Sequence, residues 1–410
     1  MRTSQNSRVT LPRATRAAFA YTLVLLLTPA PVRVSGQSLP ERAPGDFRHQ
    51  LPCGVGMRRS QGARVWSPDG KQYLVNKKDA AGTYQIYVGA AGTDPVCISC
   101  AQRPNSPAPN LDKLQAGWHP SGKWIVLAGE MANFQPPWFA TPALVEGWLE
   151  SGLWVNVYMT RPDGSEWYQL TNFGQSQSGN GFTGVAFTPD GTKAVWAQIV
   201  DGNIFKYLFG RWQLMLADYQ ESNGIPSFSN LRDITPTGAA WIEPGNFAPD
   251  SKSLLITADI GMTDPQGMDQ FILNIINGHV VNLTNSPTIW DEHGLFSPDG
   301  KKIVFMSSYP FQSNPLSDSV LFLKTEFMLM DSDGSHLEQL THFNYAGYPE
   351  SNPPGQGSVA AVAAFTPDSR HVSALNLFFP EYQSWSMVFH GSCSTDGSSE
   401  PDDFPTPIRR

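Results

Sequence analysis

The sequence predicts an all-β protein built as a ring of six four-stranded antiparallel sheets. Three observations support this prediction: a corner motif that recurs six times, a strand-end motif that recurs four times, and a composition rich in turn residues. The chain has 36 Gly, 34 Pro and 12 Trp, while only 16% of its residues are charged. This composition favours an all-β architecture over a helical solenoid, and a chain of 410 residues can form one closed β domain.

The corner motif is clearest in the stretch that begins at Trp290, WDEHGLFSPDGKKIVFMS. It reads as a short strand, a tight Pro-Asp-Gly turn and an apolar return strand. Proline fixes the backbone at such a corner, Asp accepts a hydrogen bond within it, and Gly tolerates a positive φ. Each copy has an aromatic residue two positions before the proline, and the prolines are Pro68, Pro120, Pro189, Pro249, Pro298 and Pro367. Their spacing of about 50 to 70 residues matches one propeller blade with loops of variable length.

A second motif ends several of the predicted sheets. The segments WYQLTNF, LRDITPT, VVNLTNS and LEQLTHF begin at Trp167, Leu231, Val281 and Leu337. The two motifs together predict blades at about Arg64–Cys100, Ala116–Phe173, Thr183–Thr237, Gly245–Asn285, Gly294–Phe343 and Val359–Cys393. The sixth lacks a clear outermost strand, and an open sheet edge is prone to aggregation. We therefore expect a segment within residues 37–60 to supply that strand and close the ring.

The N-terminal residues have the pattern of a secretory signal. Arginines precede a short apolar run, Ala17–Leu27, and a segment of small residues that ends at Gly36. The apolar run is too short to cross a bilayer comfortably, so we predict cleavage after Gly36, with an uncleaved anchor as the alternative. The predicted organisation is a signal peptide at 1–36, an extended segment at 37–60 that closes the ring, a propeller at 61–395 and a disordered tail at 396–410. A secreted or periplasmic protein without a transmembrane span is expected.

Charge and cysteine content limit the partners and the compartment. Loss of the signal would remove five arginines and change the formal net charge from −8 to −13. Nucleic acid is therefore not an expected partner, because its backbone would be repelled. Four cysteines in an exported chain indicate disulfides, with three possible pairings. We prefer a local Cys97–Cys100 bridge and a long Cys53–Cys393 bridge that would tie the start of the fold to its end.

The corner and strand-end motifs resemble the repeats of the TolB-like six-bladed propellers over about residues 60–395. This resemblance implies the fold and leaves the function open, because the family includes periplasmic protein-binding scaffolds, propeller domains of prolyl-oligopeptidase-type peptidases, and oligogalacturonate lyases. Peptidase activity is not expected. The segment GQSQSG at 174–179 misses the spacing of the G-x-S-x-G nucleophile motif, and too few residues follow the sixth blade for a hydrolase domain.

The candidate site lies on the face opposite the corners. Two long insertions, Glu130–Gly152 and Tyr309–Leu323, are expected to extend there, and long loops on a rigid scaffold often bind ligands. The links into blades four and five repeat a Trp-x-Glu pattern. We predict a ligand-binding pocket of carboxylates, one imidazole and aromatic walls from Trp241, Glu243, Trp290, Asp291, Glu292, His293, Glu130, Trp138 and Tyr309. The alternative is that the repeated Trp and Glu residues only pack between blades.

The residues suggest one cofactor and two functions. Carboxylates with a histidine can hold a divalent metal, so His293 and Glu292 are candidate ligands in the central funnel. The leading hypothesis is a monomeric binding or scaffold protein that recognises a protein, peptide or glycan on its loop-rich face. The alternative is a metal-assisted, carbohydrate-active enzyme similar to oligogalacturonate lyase. The resemblance implies a metal held by His and Gln side chains for that activity, and the negative charge suits an anionic substrate poorly.

Overall fold

The computed structural model describes residues 55–59, 64–136, 138, 140–173, 181–202, 209–313, 323–348, 350–352, 357–378 and 381–389. These residues form six four-stranded antiparallel sheets, as the sequence predicts. The innermost strands of neighbouring sheets contact one another all the way round, so the sheets are the blades of a closed propeller. The predicted signal peptide, the predicted tail and the predicted Cys53–Cys393 bridge lie outside the described residues.

Each blade is a meander in which the first strand is innermost and the fourth is outermost. The first strand of the chain, β1 (Val55–Arg59), belongs to blade six. The strands of blades one to three are β2 (Val65–Trp66), β3 (Gln72–Lys78), β4 (Tyr84–Ala90), β5 (Val96–Cys97), β6 (Lys113–Trp118), β7 (Ile125–Glu130), β8 (Val155–Thr160), β9 (Trp167–Gln169), β10 (Phe182–Phe187), β11 (Lys193–Asp201), β12 (Arg211–Ser222) and β13 (Ile225–Asp233). The strands of blades four to six are β14 (Ile242–Phe247), β15 (Ser253–Ala258), β16 (Asp269–Asn274), β17 (Val280–Asn282), β18 (Asp291–Phe296), β19 (Lys302–Ser307), β20 (Glu326–Asp331), β21 (Glu338–Gln339), β22 (Val359–Phe365), β23 (His371–Phe378) and β24 (Glu381–Phe389).

The ring is closed by a strand from the N-terminal part of the chain. Strand β1 pairs antiparallel with β24, with Val55 opposite Phe389 and Arg59 opposite Trp385. It is the fourth and outermost strand of blade six, whose other three strands come from the end of the chain. The predicted closure by an N-terminal strand is therefore confirmed, and it covers an edge that would otherwise be open.

The corner motif is held together by its own side chains. In blade five, Ser297 Oγ donates a hydrogen bond of 2.6 Å to Asp299 Oδ1 and accepts one of 3.0 Å from the backbone amide of Lys302. The equivalent pairs in blades one, three and six are Ser67–Asp69, Thr188–Asp190 and Thr366–Asp368. Each turn thus satisfies its polar groups locally, which explains why the aromatic-Ser/Thr-Pro-Asp pattern recurs.

The strand-end motif has an equally local cause. Thr284 Oγ1 accepts a hydrogen bond from the amide of Gln270 (3.1 Å) and donates one to Asp269 Oδ1 (2.9 Å). The equivalent hydroxyls are Ser99, which bridges Ile86 and Gln85, Thr171, which bridges Val157 and Asn156, and Thr341, which bridges Phe327 and Glu326. Each hydroxyl ties the outer strand to the third strand. In blade one the Cys97–Cys100 disulfide flanks Ser99, and this predicted bridge is confirmed.

The long insertions lie at the opposite end of the blades from the corners. The corner of blade two joins β6 to β7, whereas the 130–152 insertion joins the far end of β7 to β8. The insertion contains a helix, α1 (Pro142–Glu150), whose Trp148 is buried in the largest hydrophobic cluster. This helix was not predicted from the sequence. None of the helices in the described part of the chain has the length and apolar character of a membrane span.

One buried position of the innermost strands carries either an apolar or a charged residue. Seven residues before the corner proline, Phe182, Ile242 and Ala360 are fully or almost fully buried. The same position holds Lys113 in blade two and Asp291 in blade five, both also buried. Lys113 Nζ donates hydrogen bonds to the backbone carbonyl of Ala108, at 2.7 Å, and to that of Pro109, at 3.2 Å.

The buried lysine predicts an unusual pH dependence of stability. Burial lowers the pKa of Lys113 to about 8, so between about pH 8 and 10.4 the unfolded chain binds more protons at this residue than the folded chain does. We expect the contribution of Lys113 to the free energy of unfolding to increase over this range by roughly 3 kcal/mol. Denaturant unfolding at several pH values should show the wild type gaining stability relative to Lys113→Met above about pH 8. Parallel pH profiles for the two proteins would contradict this assignment.

Candidate metal centre in the central channel

The candidate site is built on irregularities in the innermost strands. The pairing of β18 with β19 shifts between Glu292 and Leu295, and His293 lies within this shift with a φ of 56°. That conformation is uncommon for a residue with a side chain. A bulge interrupts the alternation of side chains between the two faces of a strand and re-aims one of them. Here it lets the adjacent residues Glu292 and His293 approach the same point.

Blades four and five approach closely at this level. A Cβ atom on Gly245 of β14 would lie 2.2 Å from the carbonyl oxygen of Gly294 of β18. The two strands therefore approach at a distance that only glycine allows. Glu243 and Glu292, each six residues before its corner proline, are brought near one another as a result.

Three side chains from these two strands form the channel cluster, Glu243, Glu292 and His293. His293 Nε2 lies 3.4 Å from Glu243 Oε2 and 4.0 Å from Glu292 Oε1. One ligand atom from each of the three lies within 4.8 Å of the other two. The His293 side chain is 28% exposed and that of Glu243 is 18% exposed, so solvent and ions can reach the channel cluster.

Each member of the channel cluster is oriented by a further hydrogen bond. His293 Nδ1 donates to the carbonyl oxygen of Ala361 in blade six at 2.6 Å, which leaves Nε2 facing the carboxylates. Trp290 Nε1 donates to Glu292 Oε2 at 2.9 Å, and Thr183 Oγ1 of blade three donates to Glu243 Oε1 at 3.4 Å. Supporting hydrogen bonds of this kind accompany the ligands of most protein metal sites.

The charges of the channel cluster favour a proton or a cation held in common by its three side chains. Burial raises the pKa of Glu243 to about 7, and the Glu292 carboxylate adds to this rise, while His293 opposes it. For His293, burial lowers the pKa, but the Glu292 and Glu243 carboxylates and the Ala361 carbonyl together raise it above its ordinary value. Two carboxylates that face each other at this depth need a proton or a cation between them.

The donor set fits a divalent ion. Metal–ligand distances of about 2.0–2.2 Å for carboxylate oxygen and imidazole nitrogen place two ligands of one ion about 3–4.3 Å apart. The two measured separations to His293 Nε2, 3.4 and 4.0 Å, fall in this range. One imidazole and two carboxylates would leave further coordination positions open for water or for an oxygen atom of a ligand.

The structure distributes the other predicted site residues around the molecule. Trp241 and Trp290 are buried in the hydrophobic core. Glu130 accepts a hydrogen bond of 2.8 Å from the backbone amide of Asp112 in blade two. Trp138 is 93% exposed on the blade-two insertion, and Tyr309 is partly exposed beside blade five. Of these five residues, Trp290 contacts the channel cluster through its hydrogen bond to Glu292, whereas the ligand atoms of the cluster come from Glu243, Glu292 and His293 on β14 and β18.

Asp291 does not belong to the channel cluster, although it is adjacent to Glu292 in sequence. Successive side chains of a strand point to opposite faces, and Asp291 lines a cavity between blades four and five. Burial raises the pKa of Asp291 to about 7. Conversely, Thr183 and Ala361 support the channel cluster but were not predicted from the sequence. Thr183 could have been found, because it lies six residues before its corner proline, as Glu243 and Glu292 do.

Similarity to solved structures supports the fold. A protein assigned as TolB from Agrobacterium tumefaciens matches with a TM-score of 0.50 and 17% identity, over 81% of this chain and 93% of that one. The fold is that of a TolB-like six-bladed propeller. At this identity the similarity of this TolB-like propeller to the Agrobacterium protein is one of fold alone. No family model matches the sequence, and no curated protein matches it either.

Two further structures are similar at lower scores. TolB from Acinetobacter baumannii matches with a TM-score of 0.45 and 16% identity, over 78% of this TolB-like propeller and 64% of that protein. An oligogalacturonate lyase in complex with manganese matches with a TM-score of 0.44 and 13% identity, over 82% of this chain and 92% of that one. Similarity at this level does not assign a function, because function depends on the chemistry of the site and not on the fold.

Proposed function

We propose that this TolB-like propeller is a secreted or periplasmic binding protein that recognises a protein, peptide or glycan partner on its loop-rich face. The observation that carries the proposal is the channel cluster. Four neighbouring blades contribute to it: Thr183 from blade three, Glu243 from blade four, Glu292 and His293 from blade five, and the Ala361 carbonyl from blade six. A divalent ion held there would present open coordination positions to an oxygen atom of the partner.

The loops that surround this face support recognition of a large partner. The blade-two insertion follows the end of β7 that is opposite the corner, and it carries the exposed Trp138 on that face of the ring. The insertion after β19 begins with a short 3-10 helix at Tyr309–Phe311 on the equivalent side of blade five. Exposed aromatic side chains on rigidly held loops are typical of surfaces that bind peptides and sugars.

A second candidate function is a metal-assisted carbohydrate-active enzyme of the oligogalacturonate-lyase type. The specific observation in its favour is the position of Glu243, a carboxylate that could act as a general base beside the ion. Its carboxylate faces His293 Nε2, the same atom that would bind an ion. In this function Glu243 would accept the substrate proton, while Glu292 and His293 would hold the metal that stabilises the resulting negative charge.

We expect the purified protein to bind one equivalent of a divalent cation such as Mn²⁺ or Zn²⁺, as measured by calorimetry after treatment with EDTA. His293→Ala and Glu292→Gln should each weaken binding by roughly 100-fold or more, because each removes a ligand. Thr183→Val removes only a supporting hydrogen bond, so about 10-fold is expected. The matched control is His336→Ala, because His336 also faces a carboxylate, Asp331, at 2.6 Å but belongs to an exposed pair.

The outcomes separate the two functions. Capture of a native partner by immobilised protein, lost on EDTA treatment and in His293→Ala, would support the binding protein. Cleavage of oligogalacturonides by the Mn²⁺-loaded protein, lost in Glu243→Gln with metal binding retained, would support the enzyme instead. Wild-type cation binding in both ligand variants would contradict both functions.

A further inference from the structure

A cavity lies between blades four and five. Its volume is about 260 Å³, and it opens beside the link from β17 to β18. Its lining combines the hydroxyls of Ser286, Thr288 and Ser307 with apolar side chains that include Phe305 and Leu337. None of the residues that line it is a lysine, arginine or histidine. Asp291 also lines it, on the opposite face of β18 from the channel cluster.

Asp291 is short of hydrogen-bond donors. Asp291 is only 2% exposed, and Oδ1 has no hydrogen bond of normal geometry among the described residues, although the Ser307 and Thr284 hydroxyls lie near the carboxyl. Oδ2 lies 2.6 Å from Ser286 Oγ. A carboxylate can accept about four hydrogen bonds, and a buried oxygen without a donor costs about 1–3 kcal/mol or more. Asp291 therefore carries acceptor capacity that the described protein atoms do not use.

The hydroxyl of Ser286 cannot fully serve Asp291. Ser286 Oγ lies 2.6 Å from Asp291 Oδ2 and 2.7 Å from Asp269 Oδ1, but one hydroxyl has one proton to donate. Asp269 already accepts hydrogen bonds from Thr284 Oγ1, Asn282 Nδ2 and the Ser286 amide. Two carboxyl groups that share one hydroxyl are stabilised when one of them takes up a proton or when a cation lies beside them.

The fold itself does not require a carboxylate here. The equivalent positions of blades three, four and six carry Phe182, Ile242 and Ala360. Asp291 replaces an apolar contact with a buried charge, and an unpaired buried charge is strongly unfavourable. A cationic ligand in the adjacent cavity would pair with the Asp291 carboxylate and would explain why a charged residue is found at this position.

We propose that this cavity is a binding site for a primary ammonium group on a short alkyl chain, either a free amine or a lysine side chain of a peptide. An ammonium group has three donors, which suit Asp291 Oδ1 and the neighbouring hydroxyls of Ser307 and Thr288. The alkyl chain would lie against Phe305 and Leu337 at the mouth. A cavity of about 260 Å³ has room for a chain of the length of a lysine side chain.

The test is calorimetric titration of the full protein at about pH 8 with two probes: 1,5-diaminopentane and a lysine residue capped at both ends. Pentanol and KCl are the matched ligands without an ammonium group. We expect binding of the diamine, and Asp291→Asn should weaken it about 10-fold or more, because a hydrogen bond to a charged group is lost. Asp333→Asn, the same change in an exposed turn, should leave binding unchanged.

A second variant keeps the test valid if Asp291→Asn does not fold. Leu337 is partly exposed at the cavity mouth, so Leu337→Lys can place an ammonium group of the protein itself there. It should reduce diamine binding about 10-fold or more by competition, whereas Leu337→Gln should not. Binding of both probes identifies a site that accepts lysine side chains, and binding of the diamine alone identifies a site for free amines. Equal binding of pentanol, a preference for K⁺, or unaltered diamine binding by Asp291→Asn would overturn the proposal.

Discussion

Glu326→Ala is expected to lower the free energy of unfolding by about 3–5 kcal/mol, because it removes the common acceptor of a buried network. The carboxylate of Glu326 is fully buried at the start of β20. It accepts hydrogen bonds from Thr341 Oγ1 at 2.7 Å, from the Phe343 amide at 2.9 Å and from the Asn344 amide at 2.8 Å. Alanine would leave these donors buried without a partner, so the outer strand of blade five would lose its attachment.

Urea unfolding of Glu326→Ala checks this expectation, with Glu338→Ala as the matched control. Glu338 lies in the adjacent strand β21 and is exposed, so its removal should change stability by about 0.5 kcal/mol or less. Glu326→Gln should fall between the two, because the amide keeps one acceptor oxygen but presents its NH₂ group to the same donors. Similar midpoints for Glu326→Ala and Glu338→Ala would show that the network does not stabilise the blade.

Gly245→Ala is expected to destabilise the protein by about 3 kcal/mol or more, and to weaken cation binding as well. The added Cβ would lie 2.2 Å from the Gly294 carbonyl oxygen, and that neighbour is backbone. Relief of the clash requires β14 and β18 to move apart. Because Glu243 and Glu292 lie on these two strands, the same movement would separate two members of the channel cluster.

Gly117→Ala is the matched control for this change. Gly117 also lies in an innermost strand, β6, but a Cβ there would meet only Val126 Cγ1 at 3.7 Å, an ordinary contact. Alanine at Gly117 should be neutral or stabilising by about 0.5–1 kcal/mol, because glycine in a strand costs conformational entropy. Thermal unfolding and Mn²⁺ titration of both variants would decide the matter. Equal stabilities would show that the two strands can separate without cost.

The fold was predictable because each repeated residue satisfies a local need. Ser297 and Asp299 hydrogen-bond within their own turn, and Thr284 links the outer strand to the third strand. The repeated residues in the sequence therefore correspond to repeated hydrogen bonds in the structure. Helix α1 has no equivalent among the described residues of the other blades. It was missed because its apolar residues belong to an insertion without a repeat.

The candidate site was only partly predictable. Equal spacing from the corner prolines indicated that Glu243 and Glu292 lie near one another. The positive φ of His293, which aims its ring at them, depends on a bulge that recurs at the same distance from the corner in blades two and three, at Gln115 and Gly184. The residue types at these positions differ, so the bulge was not evident from the sequence. Asp291 could not be separated from Glu292 without knowing which face of β18 each occupies. The signal peptide and the Cys53–Cys393 bridge stay predictions, because they lie outside the described residues.

The pairing of β1 with β24 has a consequence for biogenesis. The ribosome makes β1 before any other strand of the ring, yet its partner emerges only after all the intervening blades. Joining strands so distant in sequence slows folding much more than it reduces final stability. Until β24 has been made, β1 has no partner strand, so the nascent chain carries an unpaired strand that chaperones would have to protect.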